Sequence, residues 1–309
     1  MLAALLFLTA PLAAPSPATA PPRPRILGIS HVAFRVSSVT AARSFYEGFL
    51  GLRVGAPPVQ PTDAAELAVL VNPRQYVELL PGLPEDQDRL EHIALQTDDA
   101  EAMRRYLASR GVEVPERLAV GGDDSRRFSV RDPEGHAVEL VQYPLGAHVS
   151  EGIVAPLMPI SRRILHVGII VGDLAAATQF YDGLLGFSET WRGSRSGTEL
   201  SWVNVKVPDG DDYLEFMLYG ERPAPGSRGT AHHICLEVPD MEKARALLEA
   251  RPARVSYPRP LEVRVGTNRK RQLNLFDPDG TRVELMEPAT VDGRPTPSST
   301  APPPRRAVR

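Results

Sequence analysis

Eight residues of metal-ligating type stand out by where they fall: His31, Glu78, His92 and Glu139 in the first half of the 309-residue chain, and His166, Glu215, His233 and Glu284 in the second. Each lies in a short run of alternating apolar residues that reads as a β-strand. Side chains alternate faces along a strand, so parity sorts them. In the first strand Val32, Phe34 and Val36 share one face and His31, Ala33 and Arg35 the other. Around Glu78 the apolar pair is Val77 and Leu79; around His92 it is Ile93 and Leu95; around Glu139 it is Val138 and Leu140. The second half repeats the pattern, with His166 against Val167 and Ile169, Glu215 against Leu214 and Phe216, His233 against Ile234 and Leu236, and Glu284 against Val283 and Leu285. Two imidazoles and two carboxylates on the face turned away from the helices suit a divalent ion such as Zn²⁺, Ni²⁺, Mn²⁺ or Fe²⁺, with positions open for substrate or water. An isolated strand His is more often a packing residue, and an unpartnered buried carboxylate is costly. The recurrence of the whole set at matching places in both halves is what favours a metal.

The elements that must position these residues also repeat. ISHVAFRVSSVTAARSFYEGFLGLRV (29–54) aligns with LHVGIIVGDLAAATQFYDGLLGFSET (165–190), and EHIALQTDDAEAMRRYLASRG (91–111) aligns with HHICLEVPDMEKARALLEARP (232–252). FSVRDPEGHAVELVQ (128–142) aligns with LNLFDPDGTRVELME (273–287). Internal repeats of this length indicate duplicated domains. Within each, a strand leads into an amphipathic helix (38–50, then 98–110) closed by Gly51 or Gly111, and further strands follow. The DPEG and DPDG segments at 132–135 and 277–280 are hairpin turns. The expected class is α+β: four βαβββ units forming two tandem domains, 26–143 and 162–287, with curved mixed sheets and helices outside.

Composition narrows the partners. A net charge of −3 gives no reason to expect nucleic acid or an anionic membrane. The basic run Arg269-Lys270-Arg271 reads as a solvated strand end, with a clamp for an anionic substrate as the alternative. Residues 1–20 read as an export signal: an apolar run from Leu2 to Leu12, too short to span a bilayer, then Ala18-Thr19-Ala20 as a small-x-small cleavage pattern. The expected location is therefore periplasmic or secreted, with no membrane partner once the signal is removed. The single cysteine, Cys235, excludes an intramolecular disulfide and reads as a small packing residue. Residues 144–161 read as a linker, and 288–309, rich in Pro, Ser and Thr, as a disordered tail. His136 and His148 read as surface residues, and His232 has the wrong parity for the cleft.

Over residues 26–143 and 162–287 the chain resembles the vicinal oxygen chelate superfamily of glyoxalase I, bleomycin-resistance proteins and extradiol dioxygenases. The resemblance implies metal ligands at the eight positions already named, and a small-molecule substrate with neighbouring oxygens. For glyoxalase-type lyase or isomerase chemistry, it implies a metal-stabilised enediolate and a carboxylate that moves a proton between adjacent carbons. Glu78, Glu139, Glu215 and Glu284 are the candidates for that role. Arg35, four residues after His31, resembles the first-strand arginine of glyoxalase I that holds an anionic substrate; an ion pair across the cleft is the alternative, and the second repeat has Ile170 there. Tyr76, Trp202 and Tyr213 are further candidates for lining a substrate pocket, and Tyr213, Trp202 and the Arg269–Arg271 run together favour the second repeat as the main site.

Two other functions compete. An extradiol dioxygenase needs only two His and one carboxylate around Fe(II), and four βαβββ units in one chain is that group's architecture. The tyrosine and upstream histidine positions of that group hold Ser129 and Asn274, and Val120 and Val265, here. A non-catalytic binding protein of the bleomycin-resistance kind is the third reading, against which the retained ligand sets speak. Partner units could close within one chain or swap between chains, so a homodimer stays open. No Gly-rich phosphate loop or nucleophile elbow is present.

Overall fold

The computed structural model describes residues 21–55, 66–146 and 158–305. The segment expected to be an export signal, His148 and most of the expected linker lie outside the described residues. Four βαβββ units follow one another. The first is β1 (Ile26–Val36), α1 (Val39–Arg43), β2 (Arg53–Gly55), β3 (Leu67–Asn72) and β4 (Gln75–Pro81); the second is β5 (Leu90–Thr97), α2 (Ala100–Ser109), β6 (Ala119–Val120), β7 (Arg126–Arg131) and β8 (Ala137–Gln142). The third and fourth are β9 (Ile164–Val171), α3 (Leu174–Thr178), β10 (Ser188–Gly193), β11 (Trp202–Lys206) and β12 (Tyr213–Leu218), then β13 (His233–Glu237), α4 (Met241–Glu249), β14 (Val263–Val265), β15 (Lys270–Phe276) and β16 (Arg282–Thr290).

Each pair of units closes into one eight-stranded mixed sheet, ordered β2-β3-β4-β1-β5-β8-β7-β6 in the first domain and β10-β11-β12-β9-β13-β16-β15-β14 in the second. The two first strands of a domain, such as β1 and β5, lie side by side antiparallel at the sheet centre, and each pairs in parallel with the last strand of its own unit. The helices start where the sequence predicts, with Ser38, Asp99, Asp173 and Asp240 each accepting a hydrogen bond from an amide three residues on. α1 and α3 run on into a π-helical turn, Ser44–Phe49 and Gln179–Leu184, at the same place in both domains. The periodicity argument did not anticipate this widening.

The apolar parity holds. Val32, Phe34, Val36, Val77, Leu79, Ile93, Leu95, Val138 and Leu140 and their second-domain counterparts form one buried cluster with the helices, and it runs through both domains. Burying this face fixes the register, since a one-residue slip would turn every strand over.

The hairpin turns lock the domains together. Gly135 and Gly280 take φ of 88° and 82°, a conformation that favours glycine. Each turn's aspartate receives a tyrosine from the other domain: Tyr181 Oη donates to Asp132 at 3.0 Å and Tyr46 Oη to Asp277 at 3.4 Å. Each turn also accepts backbone amides preceding the other domain's first helix, Gly172 and Asp173 on Glu134, and Ser37 on Asp279. The two locks are related by the pseudo-twofold of the duplication.

Two expectations are corrected here. His136 is not a surface residue: it is buried, bonded through Nδ1 to Asp132 at 2.8 Å, and packed edge-on to His232, whose Nδ1 lies 2.8 Å from Asp88. Residues 288–305 are not a disordered tail. β16 extends to Thr290, Ser299 N donates to Arg192 O at 2.9 Å, Leu200 N donates to Pro302 O at 2.8 Å, and Ala301 packs on the core. The segment is held by an amide and a carbonyl of the second domain that its own strands leave unpaired. No helix among the described residues is long and apolar enough to cross a membrane.

Candidate metal centres

In each domain the ligand-type residues converge around one residue of the first strand. Ala33 pairs with Glu78 on one side and His92 on the other; Gly168 pairs in the same way with Glu215 and His233. His31 and His166 lie two positions earlier on the same face. Glu139 and Glu284 enter from β8 and β16, opposite Ala94 and Cys235.

The second centre is the more complete. Nε2 of His166 lies 3.1 Å from Nε2 of His233. Glu284 sits 3.4 and 3.5 Å from these two nitrogens, and Glu215 lies 3.9 and 3.6 Å away. One atom from each of the four falls within 4.8 Å of the rest, and all four residues are buried. Ligands about 2.1 Å from a tetrahedral ion lie about 3.4 Å apart, so the spacing fits a first-row divalent metal. His233 Nδ1 donates to Ala231 O at 2.8 Å, which fixes the tautomer and turns the Nε2 lone pair inward. A Cβ on residue 168 would lie 1.9 Å from His233 Cε1, so Gly168 is the cradle in which this ring rests. Tyr213 packs over His166, with ring centroids 4.7 Å apart.

In the first centre Nε2 of His31 lies 2.9 Å from Nε2 of His92, and His31, Glu78 and His92 converge. Glu139 approaches His31 at 3.7 Å but does not complete the cluster; its other oxygen lies 3.8 Å from Arg127 Nε. Its near oxygen, Oε1, is buried and has no hydrogen-bond partner, as expected of a group that meets a cation there. Tyr76 stacks on His31 at 4.4 Å, and Ser30 links His31 Nδ1 to Tyr143 Oη.

Burial sets the protonation. It pushes Glu78 up to about 7, helped by the Glu139 carboxylate, and Glu139 likewise to about 7. Burial lowers His92 to about 4 and His233 to about 3, the latter helped by the nearby Arg282 guanidinium. Arg282 Nη2 stands 2.7 Å from His233 Nε2 and 2.9 Å from its Nδ1, so the guanidinium must move aside for Nε2 to take a metal. Neutral imidazoles with inward lone pairs are the form that binds metal.

The expected substrate residues divide. Tyr76 and Tyr213 support the first-strand histidines by packing. Trp202 packs with Ile170, Met217, Ala231 and Tyr219, and Arg195 lies over its ring. Arg35 is held by Glu91 at 2.7 Å, which is the ion pair given as its alternative. Arg269 and Arg271 are ion-paired with Asp292 and Glu287 and so form no free clamp. Ser129 and Asn274 stand directly opposite Glu139 and Glu284, whereas Val120 and Val265 are exposed. Sequence reasoning missed Arg127, Arg282 and the wall position of Cys235. Arg127 aligns with Gln272 and Arg282 with Ala137, so repetition carried no signal for either.

A family model described as the Glyoxalase/Bleomycin resistance protein/Dioxygenase superfamily matches residues 28–140 and 163–285. Among curated proteins, the uncharacterized protein YaeR of Escherichia coli (strain K12) is 29% identical over 133 residues, which are 41% of this chain and 96% of that protein. Among solved structures, most of the similar ones compared are ring-cleaving dioxygenases. A catechol 2,3-dioxygenase superposes with a TM-score of 0.65 at 16% identity, covering 92% of this chain and 94% of that one. The Mn(II)-bound glyoxalase from Novosphingobium aromaticivorans gives 0.65 at 17% identity, covering 91% and 88%. With its two tandem domains and two buried His/Glu clusters, the chain belongs to the glyoxalase/bleomycin resistance protein/dioxygenase superfamily.

Proposed function

We propose that the chain is a metal-dependent enzyme acting on a small molecule with two neighbouring oxygen atoms. The observation that carries this reading is the recurrence, in both domains, of two imidazole Nε2 atoms about 3 Å apart with buried carboxylates at 3.4–3.9 Å. His166, Glu215, His233 and Glu284 would hold an ion in the second domain, and His31, Glu78 and His92 in the first, with Glu139 beside them. When bound, such an ion supplies Lewis-acid polarisation of the substrate's oxygens. The chain's own groups do the rest: the two tyrosines and the Ala231 carbonyl hold the imidazoles in place, the apolar walls exclude water, and a carboxylate can take or return a proton.

Likeness of architecture supports ring cleavage as the reaction. Four βαβββ units in one chain superpose along 92% of this chain on a catechol 2,3-dioxygenase, and either centre would offer the two-His-one-carboxylate set such chemistry uses, His31, His92 and Glu78 in the first and His166, His233 and Glu284 in the second. On that support we read ring cleavage ahead of the lyase or isomerase expected first from the sequence. Proton transfer is kept as the second reading by Glu215, 3.6 Å from His233, a further buried carboxylate that ring cleavage does not require.

The deciding experiment loads metal-free protein in turn with Fe(II) under anaerobic conditions, Mn(II), Ni(II) and Zn(II). Oxygen uptake is then followed with catechols, and solvent-deuterium incorporation with α-hydroxycarbonyl compounds. Oxygen consumed in step with catechol loss supports ring cleavage, and deuterium exchange without oxygen supports proton transfer. Bound metal with neither activity across the panel would sink the enzymatic reading in favour of a binding protein.

A further inference from the structure

The end of the chain crosses from one end of the second sheet to the other. β10 and β14 are the outermost strands of that sheet. In the turn between β14 and β15, Asn268 O accepts a hydrogen bond from Thr296 Oγ1, and Arg269 pairs with Asp292. Only three residues after Thr296, Ser299 N donates to Arg192 O of β10 at 2.9 Å, and Leu200 N then takes Pro302 O at 2.8 Å. Three residues of extended chain reach about 10 Å. The curved sheet therefore brings its two ends within a gap of that order, and the segment spans it. Pro295, Pro297, Pro302, Pro303 and Pro304 fix φ along the crossing, so it is held extended without strand pairing.

The anchor connects directly to the cavity wall. Asn268 Nδ2 lies 3.2 Å from Met286 Sδ, and Met286 packs with Cys235, Leu165 and Tyr213. Beneath this wall His233 has no exposed side-chain surface, whereas His92 in the first centre keeps 18%. We propose that residues 291–305 are a strap that holds the second metal cavity shut and leaves the first centre as the one a substrate reaches from bulk solvent. The part of this that concerns substrate rests on the function proposed above; the strap itself does not.

Cys235, the chain's single cysteine and fully buried on that wall, reports on the strap without any metal. Full-length metal-free protein is treated with an aromatic disulfide reagent under native conditions. It is compared with a chain ending at Thr290 and with the full-length double variant Asp292→Asn/Thr296→Ala, which keeps every backbone contact. Labelling is expected to speed up about tenfold or more on truncation and several-fold in the double variant, with circular dichroism unchanged, because the opening that exposes the wall becomes local. Equal rates in all three proteins overturn the strap. In Mn(II)-loaded protein, a chelator should remove metal in a fast and a slow phase, with the slow phase absent in His233→Ala and accelerated by truncation. A single phase in full-length protein that binds two ions overturns the division of access. A chain that binds no metal refutes the proposed function but leaves the Cys235 result standing.

Discussion

The two metal centres occupy equivalent positions on equivalent strands, yet the residues beside the ligands make them different. In the second, the ring of His233 rests over Gly168; in the first the same place is Ala33, whose Cβ occupies the cradle, and His92 stays partly exposed. In the first, Arg127 draws one oxygen of Glu139 away, so three ligands converge instead of four; in the second, Gln272 stands at that place and Glu284 faces both imidazoles. Arg282, by contrast, stands against His233, while its counterpart Ala137 leaves His92 free. Duplication therefore fixed which strands carry ligands. Single neighbouring side chains, free to diverge, fixed how many ligands meet and how deeply they lie.

The sharpest way to break this comparison is Gly168→Ala. With a Cβ 1.9 Å from the His233 ring and 2.9 Å from Ala231 O, the imidazole must leave its place. The second centre is expected to lose metal affinity by about 100-fold, at the upper end of the effect of disturbing a ligand's support. Ala33→Gly should leave the first centre's affinity nearly unchanged. Isothermal titration of both variants reads this directly, and equal losses would show that the cradle is not what separates the sites.

A smaller effect should appear in acid. Burial depresses His92 from 6.5 to about 4 and His233 from 6.5 to about 3. Below pH 6.5 the unfolded chain thus binds protons that these two folded imidazoles refuse, so His92 and His233 each make metal-free protein less stable as pH falls from that value towards their folded pKa values. For His92 the loss reaches on the order of 3 kcal/mol by pH 4, with a larger one for His233. Buried His31 and His232, also depressed, act in the same direction, whereas Glu78 and Glu139, raised to about 7, bind protons more readily in the folded chain and offset the loss over the same window. Urea unfolding at pH 7 and 4.5 should therefore show the stability at pH 4.5, relative to pH 7, raised more by His233→Gln than by His92→Gln. The reverse order would mean that the second centre is not the deeper one.

The mildest change concerns Arg127, whose 3.8 Å approach to Glu139 is a partly exposed ion pair. Such pairs contribute roughly 0–1 kcal/mol. Arg127→Ala should release Glu139 towards the ligands and tighten metal binding at the first centre by about fivefold or less. Unchanged affinity would mean that Glu139 is kept out by the strand rather than by the arginine.

Much of this was legible in the sequence, because the signals are local. Period-2 alternation around His31, His92, His166 and His233 set the face of each ligand, and helical periodicity ended by Gly51 and Gly111 set the place of the first two helices. Other features were not, because they depend on partners far away in the chain. Asp132 looked like a turn residue until Tyr181 was found on it, and Asp277 until Tyr46, 231 positions distant, was found on it. His136 read as exposed because nothing near it in sequence could bury it; a buried site formed only when the other domain brought His232 alongside. The Pro-rich end read as disordered because composition reports what a segment can bury by itself, not which unpaired carbonyl lies within its reach.

By itself the sequence determined the four-unit order, the strand faces and the identity of the eight ligand-type residues, since these follow from side-chain alternation and from repetition along one backbone. The tertiary structure alone decided that Glu139 stands aside while Glu284 converges, that His233 sinks below His92, and that the chain's end crosses the second cavity. Those outcomes depend on the curvature of a sheet and on packing between residues tens to hundreds of positions apart, and no local pattern encodes either.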